Sequence, residues 1–315
     1  MNPLSGIFGA VVASRNALYD AGVFPRRRLR APVVSIGNIS LGGAGKTPFT
    51  ILLGRLLMRR GIRFDILSRG YGRQTRGAMR VLGEGAARQF GDEPLLMART
   101  LAVPVFVGER RLDAGRLAEL EDAPDLHLLD DGFQHRRLAR DFDIVMLSEE
   151  DVRGRLVPSG RLREPVSSLR RADAVVVAPG FPTTDVAAYC SRIWRLRRGI
   201  EVRYTGSKPI VFCGIARPQQ FFSQIRQAGI RPLAEISHRD HHAYSERDVA
   251  DLLMAAQSHG ADGFITTEKD SINLGTMLTR LPNVTIARVS MELDDAGTVI
   301  DDMLKTIDAR RQATL

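Results

Sequence analysis

The sequence contains few aromatic side chains and only two cysteines. Phe, Trp and Tyr make up 6% of the 315 residues, and no basic segment carries the interleaved rings on which single-stranded nucleic acid stacks. Cys190 and Cys213 stand apart, without the paired spacing of a zinc site or a disulfide framework. We therefore expect no nucleic-acid partner, no zinc site, and a reducing, cytoplasmic environment.

Long apolar runs are also absent. No stretch of about 18 apolar residues occurs, so we expect no helix that spans a bilayer. Hydrophobic residues are 44% and charged residues 26% of the chain, which is typical of a folded protein. The net charge of +9 favours an anionic partner such as nucleic acid, acidic lipid or a phosphorylated substrate. Nearly all the basic residues are arginines, so a GC-rich genome is an alternative explanation of the excess.

Residues 4–24 predict an amphipathic helix. Its apolar positions recur at helical spacing and are Leu4, Ile7, Phe8, Val11, Val12, Leu18 and Tyr19. Four arginines follow within residues 26–30, whereas a secretory signal carries its charge before the apolar stretch. Two interpretations remain open. The helix either lies on a membrane with the arginines at anionic headgroups, or packs on the core of the protein.

Strand-like and helix-like segments alternate along the chain. The strand-like runs of the first half are 33–36, 63–67, 103–107, 126–130, 143–147 and 174–178. A second alternating set begins at 209, after a basic and less patterned stretch at 190–205. This pattern predicts an α/β fold with a mostly parallel sheet. We expect a P-loop NTPase-like core over residues 1–200 and a second, smaller α/β lobe over 201–315.

A glycine-rich loop follows the first strand-like run. It consists of Ser40, Leu41, Gly42, Gly43, Ala44, Gly45, Lys46 and Thr47. The P-loop pattern GxxxxGK[ST] is matched except at Ser40, and Gly42 and Gly43 can supply the missing backbone freedom. In such a loop, backbone N–H groups enclose phosphate oxygens, Lys46 reaches the β- and γ-phosphates, and Thr47 binds Mg²⁺. The sequence therefore predicts ATP and Mg²⁺ as cofactors.

Two carboxylates end the apolar run at 126–130. Asp130 and Asp131 have the position of a Walker B element, in which a buried strand carries an Asp to the metal. Adjacent side chains of a strand point to opposite faces, so we expect one of the two to meet Mg²⁺ directly. Asp92, in a second acidic cluster, is a candidate proton acceptor. Three histidines at 238–242 lack the partners of a metal site, and one is expected in an acid–base or orienting role.

Seven motifs, taken together and in this order, resemble the tetraacyldisaccharide 4'-kinase family of the lipid A pathway of Gram-negative bacteria. They are residues 37–48, Ser68-Arg69-Gly70-Tyr71-Gly72, Gly91-Asp92-Glu93-Pro94, residues 130–135, residues 158–165, Asp240-His241-His242-Ala243-Tyr244, and Thr266-Thr267-Glu268-Lys269-Asp270. The resemblance extends from near residue 33 to about 270.

The resemblance implies an ATP-dependent transfer of the γ-phosphate to the 4'-hydroxyl of a tetraacyldisaccharide 1-phosphate, which gives lipid IVA. It implies a second lobe joined by a β-ribbon, and work at the cytoplasmic face of the inner membrane, approached by the N-terminal helix. An Asp–His pair that activates the hydroxyl falls on Asp92 and His241, with His238 and His242 as alternatives. Glu164 matches an acidic residue that helps to order Mg²⁺. Lys269 and Asp270 match a motif without an assigned role.

Three other functions were weighed. A kinase or ligase of a small soluble metabolite is disfavoured by the N-terminal helix and its arginines. A nucleotide-driven switch is disfavoured because the segment 267–270 does not match the guanine motif N-K-x-D. A nucleic-acid-binding ATPase is disfavoured by the scarcity of aromatics. We expect the partners to be a lipid-linked disaccharide and the inner-membrane surface, with no obligate protein partner.

Overall fold

The computed structural model describes residues 3–313, and within them twelve strands form a single sheet. The strands are β1 (Val33–Asn38), β2 (Phe64–Ser68), β3 (Met79–Arg80), β4 (Val105–Val107), β5 (Leu126–Asp130), β6 (Phe142–Met146), β7 (Ala174–Val177), β8 (Ile193–Glu201), β9 (Pro209–Cys213), β10 (Ala234–Ser237), β11 (Gly263–Thr267) and β12 (Val284–Leu293). The strand order is β10-β9-β11-β12-β8-β7-β6-β1-β5-β2-β4-β3. All pairs are parallel except β3–β4 and β8–β12, which confirms the predicted α/β class.

Helices cover the sheet. They are α1 (Pro3–Asp20), α2 (Lys46–Met58), α3 (Ala87–Phe90), α4 (Asp92–Leu101), α5 (Arg111–Glu121), α6 (Glu149–Val152), α7 (Thr184–Ala187), α8 (Pro218–Gln227), α9 (Glu246–His259), α10 (Glu268–Leu274) and α11 (Ala296–Gln312), with 3₁₀ turns at Val166–Arg171 and Gly275–Arg280. Strand β1 is buried at every position, between β5 and β6. Buried parallel strands read as continuous apolar runs, which is why the sequence predicts these strands well.

The two halves of the sheet are joined through β12. Its first residues pair in parallel with β11, as Val284 does with Phe264, and its last residues pair antiparallel with β8, as Leu293 does with Leu196. Strand β8 lies in the stretch that the sequence left without structure. Arginines mask its alternation, because Trp194 and Leu196 are buried while Arg195 is half-buried and Arg197 is exposed.

Helix α11 returns to the half of the sheet that carries β1. Its buried residues Ile300, Met303 and Ile307 share one apolar core with Leu53 and Leu57 of α2. Residues 201–315 therefore include a helix that packs against the proposed core. The division near residue 200 falls inside β8 and remains a proposal, and residues 1–2 and 314–315 lie outside the described chain.

Helix α1 divides its apolar residues between two faces. Leu4, Ile7 and Val11 are 59%, 62% and 61% exposed, whereas Val12 is buried and Tyr19 is half-buried. The helix ends at Asp20, short of the predicted end near 24. No helix within residues 3–313 combines the length and the apolarity needed to cross a membrane.

The packing of α11 predicts a large stability cost for a change at its buried face. Met303→Ala removes a fully buried side chain and should lower the free energy of unfolding by about 2–5 kcal/mol. The matched change Lys305→Ala, at an exposed position of the same helix, should cost less than about 0.5 kcal/mol. Urea midpoints measure both, and equal midpoints would show that α11 does not contribute to the core.

Candidate active site

The loop between β1 and α2 has the conformation of a phosphate cradle. Gly42 and Gly45 adopt the left-handed region, with φ of +84° and +80°, which side chains other than glycine rarely enter. Gly45 is the N-cap of α2, so the first helical N–H groups face the loop. Unpaired N–H groups and the helix dipole make this end a binding site for anions. Gly42 supplies the freedom that Ser40 lacks.

The segment at 161–163 braces this loop from outside. The backbone N–H of Leu41 donates to the carbonyl of Arg161 at 2.7 Å, and the guanidinium of Arg161 donates to the carbonyl of Leu41 at 2.8 Å. Arg163 donates to Oδ1 of Asp131 at 3.0 Å. The motif at 158–165 thus forms a wall of the phosphate loop and neutralises part of its acidic edge.

Lys46 extends toward the ends of β1 and β5. Its Nζ lies 3.3 Å from Oδ1 of Asn38 and 3.5 Å from Oδ1 of Asp131. These contacts hold the ammonium beside the loop. Asn38 was not predicted as a site residue, although its position at the end of β1 was a signal, because ligands of parallel sheets gather at the carboxyl ends of strands.

Asp130 and Asp131 both line the cleft. Strand β5 ends at Asp130, and Asp131 turns into the left-handed region with φ of +49°. The alternation of a strand therefore does not apply to this pair, and the expectation that they point to opposite faces is wrong. Burial, and then the charges of Glu93 and Asp131, raise the pKa of Asp130 to about 7. Burial opposes ionisation of Asp131, but Lys46 and Arg163 lower its pKa to about 2.

Asp92 and His241 meet although 149 residues separate them. Nδ1 of His241 lies 2.9 Å and 3.1 Å from the two carboxylate oxygens of Asp92. Asp92 is the first residue of α4, where the helix dipole favours a negative charge, and its own carboxylate accepts the N–H of Glu93 at 2.9 Å. His241 has φ of +57°, a strained value of the kind found at functional sites.

The electrostatics of the pair favour an ionised carboxylate. Burial raises the pKa of Asp92, but His241 and Lys269 together lower it by more, so the pKa of Asp92 lies below the ordinary value. Burial lowers the pKa of His241, but the hydrogen bond and charge of Asp92 raise it more, so its pKa lies above the ordinary value. Such a pair can orient a carboxylate toward a hydroxyl and receive its proton.

Helix α10 adds two further contacts to Asp92. Asn273 donates from Nδ2 to Oδ2 of Asp92 at 3.1 Å, and Nζ of Lys269 lies 3.8 Å from the same oxygen. Nζ of Lys269 also lies 3.2 Å from Nε2 of His241. The ring of Tyr71 packs against His241 with centroids 5.0 Å apart.

One cleft of about 460 Å³ contains the phosphate loop, Asp130, Asp131 and His241. Its opposite wall comes from β8, β12 and the segment after β9, and includes Arg198, Ile200, Ile215, Ala216, Arg217, Ala287 and Val289. The sequence did not predict this wall, because its residues are scattered and form no local motif. A guanidinium nitrogen of Arg198 lies 3.2 Å from where a Cβ of Gly45 would stand, so its charge faces the phosphate loop.

Glu164 lies behind the loop, and it is not among the residues that line the cleft. Its carboxylate accepts from Asn16 at 2.8 Å, from Gln134 at 3.1 Å and from Arg171 at 2.9 Å. The help in ordering Mg²⁺ that the motif implies for Glu164 stays a prediction, and these three side chains are its described partners. Of the nearby arginines, Arg69 lines the cleft, whereas the side chain of Arg73 is buried against Glu109.

The other two histidines lie away from Asp92. His238 and His242 stack with centroids 4.4 Å apart and an angle of 12° between the rings, and Nε2 of His242 lies 3.2 Å from Asp248. Of the three histidines that the sequence left open, His241 is the one in contact with Asp92.

The chain is similar to known proteins along nearly its whole length. Residues 1–308 match the family model described as tetraacyldisaccharide-1-P 4'-kinase, LpxK. The tetraacyldisaccharide 4'-kinase of Koribacter versatilis is 47% identical, over 99% of this chain and all of the relative. That of Geobacter metallireducens is 38% identical, over 96% of each chain.

The fold is also similar to that of a solved structure. The crystal structure of LpxK from Aquifex aeolicus in complex with ATP superimposes with a TM-score of 0.80 at 32% identity, covering 97% of both chains. The match of sequence over 308 residues, together with this match of structure, shows that the chain belongs to the tetraacyldisaccharide 4'-kinase family.

Proposed function

We propose that the chain transfers the γ-phosphate of ATP to the 4'-hydroxyl of tetraacyldisaccharide 1-phosphate and so forms lipid IVA. The observation that carries this is that the phosphate loop and His241 line one cleft, and that His241 contacts the carboxylate of Asp92 at 2.9 Å. A phosphate cradle without a proton acceptor would bind nucleotide only. The two together can hold a donor phosphate and activate an acceptor hydroxyl.

Residues 40–47 hold the phosphates of ATP in this proposal. Their backbone N–H groups and the N-terminus of α2 face the β- and γ-phosphates, and Lys46 offsets the charge that develops on the transferred group. The apolar side chains of the opposite wall, including Ile200, Ile215 and Val289, suit the flat face of a base. Arg198 adds positive charge between the two.

The residues at the end of β5 fit a magnesium ion. Thr47, Asp130 and Asp131 offer the hard oxygen donors that Mg²⁺ prefers, and all three line the cleft. Burial, and then the negative charges of Glu93 and Asp131, raise the pKa of Asp130, and a divalent cation would offset those charges. Mg²⁺ bound here would neutralise charge on the phosphates. Glu164 then acts indirectly, because it fixes Gln134, whose amide donates to the carbonyl of Asn38 at 2.9 Å.

Asp92 is the proposed proton acceptor of the 4'-hydroxyl. His241 orients the carboxylate of Asp92, and the burial of Asp92, which is 5% exposed, keeps competing water away. His241 and Asn273 belong to the proposed second lobe, whereas Asp92 belongs to the P-loop core. Closure of the two lobes would therefore complete the site, and opening would release it.

The acceptor is an amphiphile, and the exposed face of α1 suits a membrane. Leu4, Ile7 and Val11 are exposed apolar side chains on one face, and Arg27, Arg28 and Arg30 follow the helix. Apolar side chains at the level of the acyl chains and arginines at anionic headgroups bind a helix in the interface. We assign the chain to the cytoplasmic face of the inner membrane, as a peripheral or monotopic protein.

Transfer of labelled γ-phosphate from ATP to tetraacyldisaccharide 1-phosphate in detergent micelles tests the proposed reaction. Lys46→Ala should lower kcat/KM by about 10²–10³-fold, because a preorganised cation is lost. The exposed Lys305→Ala is the matched control and should retain activity. If the unaltered protein consumed ATP without labelling the lipid, the proposal that tetraacyldisaccharide 1-phosphate is the acceptor would be refuted.

The role of Asp92 has its own test. Asp92→Asn keeps the shape of the side chain but removes the proton acceptor, so kcat should fall by about 10²–10⁴-fold. Binding of ATP, measured by calorimetry, should stay unchanged. Asp113→Asn, at an exposed position in the first turn of α5, controls for the loss of a helix-terminal charge. Near-normal kcat in Asp92→Asn would remove Asp92 as the base.

Membrane association is tested on α1. Ile7→Asp should weaken binding to phosphatidylglycerol vesicles by about tenfold or more, because an apolar contact worth about 1.5–3 kcal/mol is lost. Ala13→Asp places the same charge on the same helix, on a face away from Leu4, Ile7 and Val11. Sedimentation with vesicles measures both variants. Equal binding by the two would show that the apolar face does not contact the bilayer.

A further inference from the structure

The described contacts of Lys269 converge on the catalytic pair. Its Nζ lies 3.0 Å from Oδ1 of Asp240, 3.2 Å from Nε2 of His241 and 3.6 Å from Oε1 of Glu93. The side chain is 15% exposed. Together with the approach to Asp92 at 3.8 Å, the ammonium is enclosed by three carboxylates and one imidazole nitrogen.

The contact with His241 restricts the ring chemically. A lysine ammonium has three donors and no acceptor, so the imidazole nitrogen that faces it must accept. Nε2 of His241 is that nitrogen, and the proton of the neutral ring then resides on Nδ1, which faces Asp92. The contact therefore permits one tautomer, and a second proton on Nε2 would meet the ammonium directly.

Lysine is rare in this chain, which makes its position informative. The lysines are Lys46, Lys208, Lys269 and Lys305, against 45 basic residues in all, and two of the four line the cleft. A compact ammonium can donate to acceptors in several directions, whereas the planar guanidinium of arginine directs its hydrogen bonds in one fork. The acceptors around Lys269 come from two separate elements, α4 and the loop at 240–241.

The neighbouring residues fix Lys269 relative to His241. Asp270 is fully buried and its Oδ1 accepts the N–H of Gly214 at 2.8 Å and the hydroxyl of Tyr244 at 3.0 Å. Thr267 caps α10 by accepting the N–H of Asp270 at 3.1 Å. Tyr244 lies three residues after His241, so the start of α10 and the loop that carries His241 are tied together.

We propose that Lys269 is a positioning residue of the phosphoryl transfer. Its ammonium donates a hydrogen bond to Nε2 of His241, and the proton of the neutral ring therefore lies on Nδ1, where it faces Asp92. This role rests on the proposed function, because it acts on the proposed base. This proposal also gives a function to the segment 267–270, in which Asp270 fixes the start of α10 and Lys269 contacts His241.

Charges around the ring give the direction of the expected change. Asp92 and Asp240 favour a charged imidazole, Lys269 opposes it, and the ring of Tyr71 covers one side. The net pKa of His241 is above its ordinary value, and removal of Lys269 removes an influence that lowers it. The ring should then take its second proton at higher pH, and imidazolium would weaken Asp92 as a proton acceptor.

Nitrogen-15 NMR of histidine-labelled protein tests the tautomer without any assay of activity. His241→Gln identifies the signal by its loss from the six histidines. In the unaltered protein, titrated over about pH 5–9, the neutral ring should show bare Nε2 and protonated Nδ1. Lys269→Met should raise the pKa of His241 by about one unit, while Lys305→Met should leave it unchanged. A proton on Nε2 of the neutral ring would overturn the proposal, even if Lys269→Met fails to fold.

Kinetics give the second readout. Lys269→Met should lower kcat about tenfold to a hundredfold with little change in KM for ATP, and should move the acid limb of the profile of kcat/KM to higher pH. A loss of activity at every pH with an unchanged titration of His241 would contradict the positioning role. If the unaltered protein does not phosphorylate the lipid, the proposed function fails, and the NMR result still decides the tautomer.

Discussion

A buried carboxylate that must stay ionised is the constraint on which this site depends. Asp92 is 5% exposed, and burial of an isolated ion is costly unless other groups compensate its charge. The start of α4 provides part of that compensation, but His241, Lys269 and Asn273 come from the other half of the sheet. The proposed base is therefore complete only when both halves are in place. Strand β12 bonds to both halves, so the same sheet that forms the fold also sets the distance between donor and acceptor.

The sequence predicts those parts of the molecule that local chemistry decides. The phosphate loop is recognisable because the turn, the lysine and the hydroxyl lie within eight residues, and the buried parallel strands are continuous apolar runs. Strand β8 was missed because its buried residues Trp194 and Leu196 alternate with arginines, of which Arg195 is half-buried and Arg197 is exposed. The packing of α11 against α2 could not be predicted, because amphipathic periodicity shows that a face is buried but does not show which surface covers it.

Prediction of the site fails where contacts are long-range or where the backbone departs from regular geometry. Alternation along a strand separates Asp130 from Asp131, but the left-handed turn at Asp131 returns both to the cleft. Lys269 lies 177 positions after Asp92 in the chain. The sequence does not show that the two residues are close in space, so the motif alone could not assign a role to Lys269. For Glu164, a match to a motif predicts help in ordering Mg²⁺ but does not predict the distant partners of its carboxylate, which are Asn16, Gln134 and Arg171.

The contacts of Glu164 link α1 to the phosphate loop. Asn16, on the inner face of α1, donates to Glu164, and Gln134 donates both to Glu164 and to the carbonyl of Asn38. Asn38 in turn contacts Lys46. Because each group in this series is buried or half-buried, a shift of α1 would displace hydrogen bonds that cannot be replaced by water at little cost. In the membrane-bound state proposed above, α1 would be held at a fixed distance from the phosphate loop, and an acceptor anchored in the same bilayer would reach the cleft at a defined depth.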